Sequence, residues 1–363
     1  MGVAHRNAAR HLLKLQRIKS IEPVQSDKII CSFAPHLSAI QVRSIVRFVK
    51  DWALPIIMLS GIVSYFVFVR LPLPASVHHF ANDAVAIIQP TLLFCMLFIS
   101  FCKIDPAKIR PRRWHLWLAL IQAGAFIALS LVFRFVGNAE AQIVIQCAMI
   151  CLICPTATAA VVITDKLGGN TLTLIAYTII SNMVTAVVVP AFIPFVNPAI
   201  GNSFWHSFFI IVKQIFPLLV FPFILAWIVR LLFPRLLQLI TSVKDLAFYL
   251  WMVALALALA VTTRALVHSG ISAWCFMSIL VITFVCCILQ FIVGKRIGGH
   301  YNDRISGGQA LGQKNTVFII WTAYTFMNPV TAVAGGFYSI WHNTINSYQL
   351  YKKRKAKSTD NQQ

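Results

Sequence analysis

Residues 307–318 read GGQALGQKNTVF, a glycine-rich polar run that carries Lys314 between two strongly apolar stretches. An ammonium or amide at membrane depth is expensive and marks a functional position until another reason for it is found. Whether this run lies at membrane depth decides the fold, and its surroundings answer that question.

The chain has 363 residues, of which 59% are hydrophobic and 11% charged, with a mean hydropathy of +0.78. A soluble domain carries roughly 25% charged residues. Apolar windows of about 20 residues, the length that crosses a hydrocarbon core of roughly 30 Å, recur beyond residue 50. The sequence predicts ten spans, at 53–71, 83–102, 114–135, 141–163, 171–193, 206–231, 246–264, 271–293, 307–325 and 328–349. Backbone groups cannot stay unpaired in lipid, and these runs are too long and too uniformly apolar for barrel strands. The expectation is an all-α polytopic membrane protein with a basic segment at 1–50, a transmembrane domain at 51–350 and a basic tail at 351–363.

The net charge of +21 is not a nucleic-acid footprint, because the basic residues fall in alternate connections. Lys14, Arg17, Lys19, Arg43, Arg47 and Lys50 precede span 1, and Lys103, Lys108, Arg110, Arg112 and Arg113 follow span 2. Arg230, Arg235 and Lys244 follow span 6, Lys295, Arg296 and Arg304 follow span 8, and Lys352, Lys353, Arg354, Lys355 and Lys357 end the chain. All of these reach one side only with ten spans, which puts both termini in the cytoplasm of a cell (inner) membrane protein. The first apolar run starts beyond residue 50 and is long enough to span, so no cleavable signal is expected. HRNAARHLLKLQRIK reads either as an amphipathic helix on anionic lipid or as a solvated tail that enforces orientation.

Enzyme chemistry lacks material. Cys147, Cys151 and Cys154 have a C-x3-C-x2-C spacing but lie inside a span, where cysteine behaves as a small hydrophobe. His300 and His342 have no carboxylate or second histidine at ligand spacing, and no paired carboxylates, nucleophile elbow or phosphate loop occurs. The reading is no catalytic residue, no metal and no cofactor.

Polar groups in two spans remain. Span 4 contains CPTATAAVVIT at 154–164, where Pro155 removes a backbone donor and Thr156 and Thr158 add hydroxyls. In span 9, Gly307, Gly308 and Gly312 are expected to loosen the helix, and Gln309, Gln313, Lys314, Asn315 and Thr316 supply polar groups. These are the fourth spans of two five-span halves. An odd number per half inverts one half relative to the other, and interrupted segments at matching positions of inverted repeats point to a transport site near the midplane. Gln122 in span 3 and Thr178, Ser181 and Asn182 in span 5 serve either as ligands or as interhelical bonds. Lys213, ahead of Pro217 and Pro222, either snorkels outward or faces a cavity.

Three motifs resemble the bile acid:sodium symporter superfamily, which includes bacterial homologues and plant organic-anion carriers. CPTATAAV at 154–161 is similar to its C-P-G-G-x-A-S-N motif, and ALGQKN at 310–315 to its E-x-G-x-Q-N. YSIWHNTINS at 338–347 is similar to F-S-x-W-H-N-x-x-G-S. The resemblance covers roughly residues 50–350 and implies panel helices at about 53–102 and 206–264, core helices at about 114–193 and 271–349, and crossing broken helices 4 and 9. It implies an amphipathic or small organic anion, bound between panel and core beside the crossing and driven by a sodium gradient.

The sodium ligands of that family are largely replaced. Ala160 and Val161 stand at the Ser-Asn positions, Ala310 at the Glu, Leu174 at one hydroxyl of helix 5 and Lys314 at the Gln, while Thr178 and Gln122 match. Sodium requires a cage of oxygens, so a sodium cofactor is doubtful. The expectation is that the Lys314 ammonium substitutes for the ion, held by half-helix carbonyls and Gln122. Proton coupling or uncoupled facilitation would follow. The alternatives are a ligand-binding sensor or scaffold on a transporter fold, and a sodium-coupled symporter with relocated sites at Thr156, Thr158, Gln309 and Gln313. The sequence assigns no oligomeric state.

Overall fold

The structure, a computed structural model, describes residues 53–360 apart from 106, 108, 202, 244 and 245. The N-terminal basic segment and its amphipathic-helix reading, together with Lys108 and Lys244, lie outside the described residues. The chain forms two units, Met1–Ile56 and Ile57–Gln363. The first is described only over its last four residues, the start of a helix; the second is described below.

The described residues form thirteen α-helices: α1 (Ala53–Arg70), α2 (Ala75–Cys102), α3 (Arg113–Phe133), α4 (Ala139–Ile153), α5 (Ala160–Leu167), α6 (Thr171–Val196), α7 (Phe204–Leu232), α8 (Pro234–Ser242), α9 (Leu246–Val267), α10 (Ala273–His300), α11 (Arg304–Gly312), α12 (Thr316–Phe326) and α13 (Val333–Asp360). Six of them, within α2, α3, α6, α7, α9 and α10, contain stretches long and apolar enough to cross a membrane. The stretches Pro55–Arg70, Ala139–Ile153 and Thr316–Phe326 are apolar but shorter.

The remaining predicted spans differ from simple rods for readable reasons. Span 4 is split into α4 and α5 and span 9 into α11 and α12. Span 10 begins with the short 3-10 turn Pro329–Ala332, which Asn328 caps by accepting from the Val330 N–H. Its helix α13 does not stop near residue 349 but continues through the basic segment to Asp360. The connection after span 6 contains α8, whose described side chains are all at least partly exposed.

Polar caps set the helix starts. Asn138, Asn170, Ser203 and Ser272 accept backbone N–H groups at the starts of α4, α6, α7 and α10, satisfying donors that have no partner within the helix. Gly168, at φ +78°, closes α5 in the left-handed conformation, which glycine adopts without a Cβ penalty.

Two groupings follow from helix packing. α2 packs on α7 and α9, and Gly61 brings α1 against Ala256 and Leu259 of α9. α3 packs on α4 and α6, while α10 packs on α4, α11 and α13. Contacts of α6 with α7 and of α9 with α12 join the two.

Gly307 and Gly308 do not loosen a helix. They lie inside α11, and the interruption starts after Gly312, the last residue of that helix. Their role is close approach: a Cβ on Gly307 would meet the Gly294 carbonyl of α10, one on Gly298 would come within 2.9 Å of the Gly307 Cα, and one on Gly308 would meet the Lys295 stem at 2.6 Å. Small residues that let two backbones touch are a recurrent device of membrane helix pairs.

Candidate functional site

The two interruptions meet. Thr156 and Lys314 form an antiparallel backbone bridge, with Ala157 N–H donating to Gln313 O and Asn315 N–H to Pro155 O, each at 2.9 Å. Two irregular segments, each unable to pair its own backbone, pair with one another, so the breaks are tolerated inside protein.

Side chains from three helices and from the break after α11 complete the accounting at the end of α4. The last regular bond is Cys154 N–H to Ile150 O. Pro155 has no N–H to give to Cys151 O, the acceptor four residues back, and that oxygen instead accepts from Gln290 Nε2 of α10 at 3.2 Å. Leu152 O accepts from Lys314 Nζ at 3.2 Å. Ile153 O accepts from Gln122 Nε2 at 2.7 Å and from Thr185 Oγ1 at 2.8 Å. Three orphan carbonyls are thereby capped, one of them by a cation. The C-terminal end of a helix carries a partial negative charge, and an ammonium is stabilised there.

Lys314 is fully buried. Besides Leu152 O, its nitrogen reaches Gln122 Oε1 at 3.5 Å. The same oxygen accepts from Tyr177 OH at 2.9 Å and Ser181 Oγ at 3.3 Å, which fixes the amide so that its oxygen faces the ammonium. Thr156 Oγ1 donates to Ala310 O at 2.6 Å, and Thr156 N–H to Ser181 Oγ at 3.2 Å. At the start of α12, Asn315 accepts from Phe318 N–H at 3.3 Å, and its carbonyl accepts from the Cys154 thiol.

Of the residues singled out in the sequence, Lys314, Gln122, Thr156, Ser181, Asn315 and Pro155 thus converge. The others are placed differently. Thr158 is half-buried ahead of α5. Thr178 Oγ1 donates to Leu174 O and Asn182 Nδ2 to Thr178 O, both within α6. Gln309 Nε2 turns to Asn346 Oδ1 of α13 at 2.8 Å. The side-chain oxygens of Gln309 and Gln313 are buried with no hydrogen-bond partner among the described residues. Thr316 is buried as the first residue of α12, and Gly312 lies against the Phe291 ring. Lys213 is exposed on α7, which removes it from any buried cavity. Cys147, Cys151 and Cys154 are buried within or at the end of α4.

Sequence reasoning left out Tyr177, Thr185, Gln290 and Tyr338. Tyr338 OH accepts from Gln290 Nε2 and donates to Gly312 O, each at 2.9 Å, so it joins the ends of α4 and α11. The recurrence of Ser181 and Thr185 four residues apart on α6 was an available signal for a polar stripe.

Beside this polar crossing lies an apolar one. Ala160, Leu174 and Ala310, with Trp114, Leu118, Tyr177 and Leu311, form a single buried cluster, and Val161 packs against it. Four residues from three separate sequence stretches that offer no side-chain oxygen are brought to one place.

Two known groups of sequence resemble parts of this chain. The model of the Sodium Bile acid symporter family matches residues 90–269. A relative from Bacillus subtilis (strain 168), named Uncharacterized sodium-dependent transporter YocS, is 26% identical over 207 residues, which are 56% of this chain and 63% of the relative. The chain therefore spans about 63% of the length of the curated relative it matches. Together with the six apolar helices, the family match makes this an integral membrane protein.

Proposed function

We propose that the chain, whose residues 90–269 match the model of the Sodium Bile acid symporter family, is a secondary-active or facilitative transporter of an organic anion, working by alternating access without sodium. In this reading ten spans form two inverted five-span repeats, α4/α5 and α11/α12 are their broken helices, and α1, α2, α7 and α9 form the panel that moves against the core. The termini lie in the cytoplasm of a cell (inner) membrane protein, as the alternating basic connections require.

The single observation that carries sodium independence is the apolar cluster. Ala160, Val161, Ala310 and Leu174 stand where the family resemblance places sodium ligands, and all four pack together. A cation entering there would lose its hydration and gain no oxygen from these four side chains. Lys314 supplies the positive charge instead, fixed by Leu152 O and Gln122 Oε1. The relative's name includes sodium dependence; the replacement of these ligands separates the two proteins in this reading.

The experiment is counterflow of organic anions in proteoliposomes with sodium or potassium on both sides. Exchange that is equal in the two salts supports the reading, and exchange that requires sodium overturns it. Binding without exchange would instead identify a sensor. A second reading has its own observation: Gln309 Oε1 and Gln313 Oε1 are buried acceptors with no partner among the described residues, and a relocated sodium site would use them. Sodium-dependent binding abolished by Gln309→Leu and Gln313→Leu would establish it.

A further inference from the structure

The stretch PRLLQLITS folds as α8 directly beyond α7, with Phe233 between the two helices. Pro234 opens α8 at a position where the missing N–H would have had no helical partner, and Leu237 N–H donates back to Phe233 O at 3.0 Å. With about 3.6 residues per turn, Arg235, Gln238 and Ser242 fall on one side of this helix and Leu236, Leu237, Leu239 and Ile240 on the other. α8 packs on α2 and α7, and Leu237 and Ile240 are half-buried. Leu236 and Leu239 are left uncovered, at 43% and 67% exposure.

The neighbours of α8 fix its level. Arg230, in the last turn of α7, donates from Nη2 to Cys102 O at 2.9 Å and to Ile104 O at 2.6 Å, at the end of α2 and just past it. Both α2 and α7 contain stretches long and apolar enough to cross a membrane, so their joined ends mark one membrane boundary. α8 begins within about one helical turn of that boundary. The residues that lead into it, Leu231, Leu232 and Phe233, are apolar and more than half exposed. The uncovered leucines of α8 therefore continue an apolar surface that already belongs to a span, and a helix that is apolar on one side and polar on the other suits the plane where hydrocarbon meets head groups.

We infer that α8 is an interfacial helix whose partner is the lipid leaflet at which α2 and α7 end, with Leu236 and Leu239 in the acyl boundary and Arg235, Gln238 and Ser242 among the head groups. Depth in the membrane is then set at α8 as well as by the spans: because α8 packs on both α2 and α7, it holds that pair at one level. The inference does not depend on the chain being a transporter, and its test needs no substrate.

Nitroxide labels are introduced one at a time by Arg235→Cys, Leu236→Cys, Gln238→Cys and Leu239→Cys, all at exposed positions, in the full-length protein in phosphatidylcholine–phosphatidylglycerol nanodiscs. The unsubstituted chain, treated in parallel, is the blank for native thiols. Collision rates are measured with oxygen, which concentrates in lipid, and with a neutral nickel chelate, which stays in water. Oxygen is expected to dominate at 236 and 239 and nickel at 235 and 238, so the logarithm of the ratio changes sign with the helical period. Nickel dominance at all four positions places α8 in water and overturns the inference. Protection of 236 and 239 from both reagents means that protein covers the face, whether the preceding segment of the chain or a second copy, and overturns it equally.

Discussion

Lys314 Nζ donates to Leu152 O at 3.2 Å, joining the break in one half of the chain to the helix end it faces in the other. The ammonium caps a carbonyl that an intact helix would have paired with the Thr156 N–H. Lys314→Ala leaves this carbonyl and Gln122 Oε1 without their cation. Since an unsatisfied buried acceptor costs about 1–3 kcal/mol, thermal unfolding in detergent should shift clearly downward. Counterflow should fall at least about tenfold if the crossing carries the substrate site. Lys314→Gln, which keeps a donor but no charge, should recover stability better than activity.

Pro155 and Gln290 are coupled through Cys151 O. Gln290→Leu should destabilise the protein by about 1–3 kcal/mol by orphaning that oxygen. Pro155→Ala restores the missing backbone donor, so the same Gln290→Leu substitution should cost less in the Pro155→Ala background. A double-mutant cycle of chemical unfolding should show a coupling of roughly 1 kcal/mol. Near-additivity would mean that the α4 end does not re-form.

Gly307→Val should prevent α10 and α11 from reaching their present separation, because even a Cβ at Gly307 overlaps the Gly294 backbone. The expected outcome is loss of folded, monodisperse protein in size-exclusion chromatography. Gly124→Ala is the control: a Cβ on Gly124 in α3 meets nothing within 4 Å, and that variant should express as well as the parent or slightly better.

Installing the side-chain oxygens of the family motif tests the proposed independence of sodium. The combined change Ala160→Ser, Val161→Asn, Leu174→Thr, Ala310→Glu and Lys314→Gln should produce a sodium-specific rise in melting temperature over potassium. By linkage the stabilisation should approach about 2.7 kcal/mol at a hundredfold excess over the dissociation constant. The parent chain should melt identically in both salts.

How much was legible follows from the kind of constraint each residue obeys. The six long apolar helices were legible because hydrocarbon requires about 20 apolar residues per crossing, a rule read residue by residue. The breaks were legible at Pro155 and in the polar run 313–315, since backbone irregularity leaves a local mark. Gly307 and Gly308 were misread because glycine is compatible with unwinding and with close packing alike; only the facing Gly294 and Gly298 distinguish the two.

Sequence alone thus determined the apolar helical architecture, the alternation of basic connections, and the two polar interruptions with Lys314 in one of them. Tertiary structure decided the partners: that Thr156 meets Lys314, that Gln290, Gln122 and Thr185 cap the end of α4, and that Ala160, Leu174 and Ala310 share one buried apolar cluster. The physical reason is range. Hydropathy and helix termination act over a few residues and are written along the chain, whereas an orphan carbonyl can be satisfied by any donor that packing brings within about 3 Å, however distant it is in sequence.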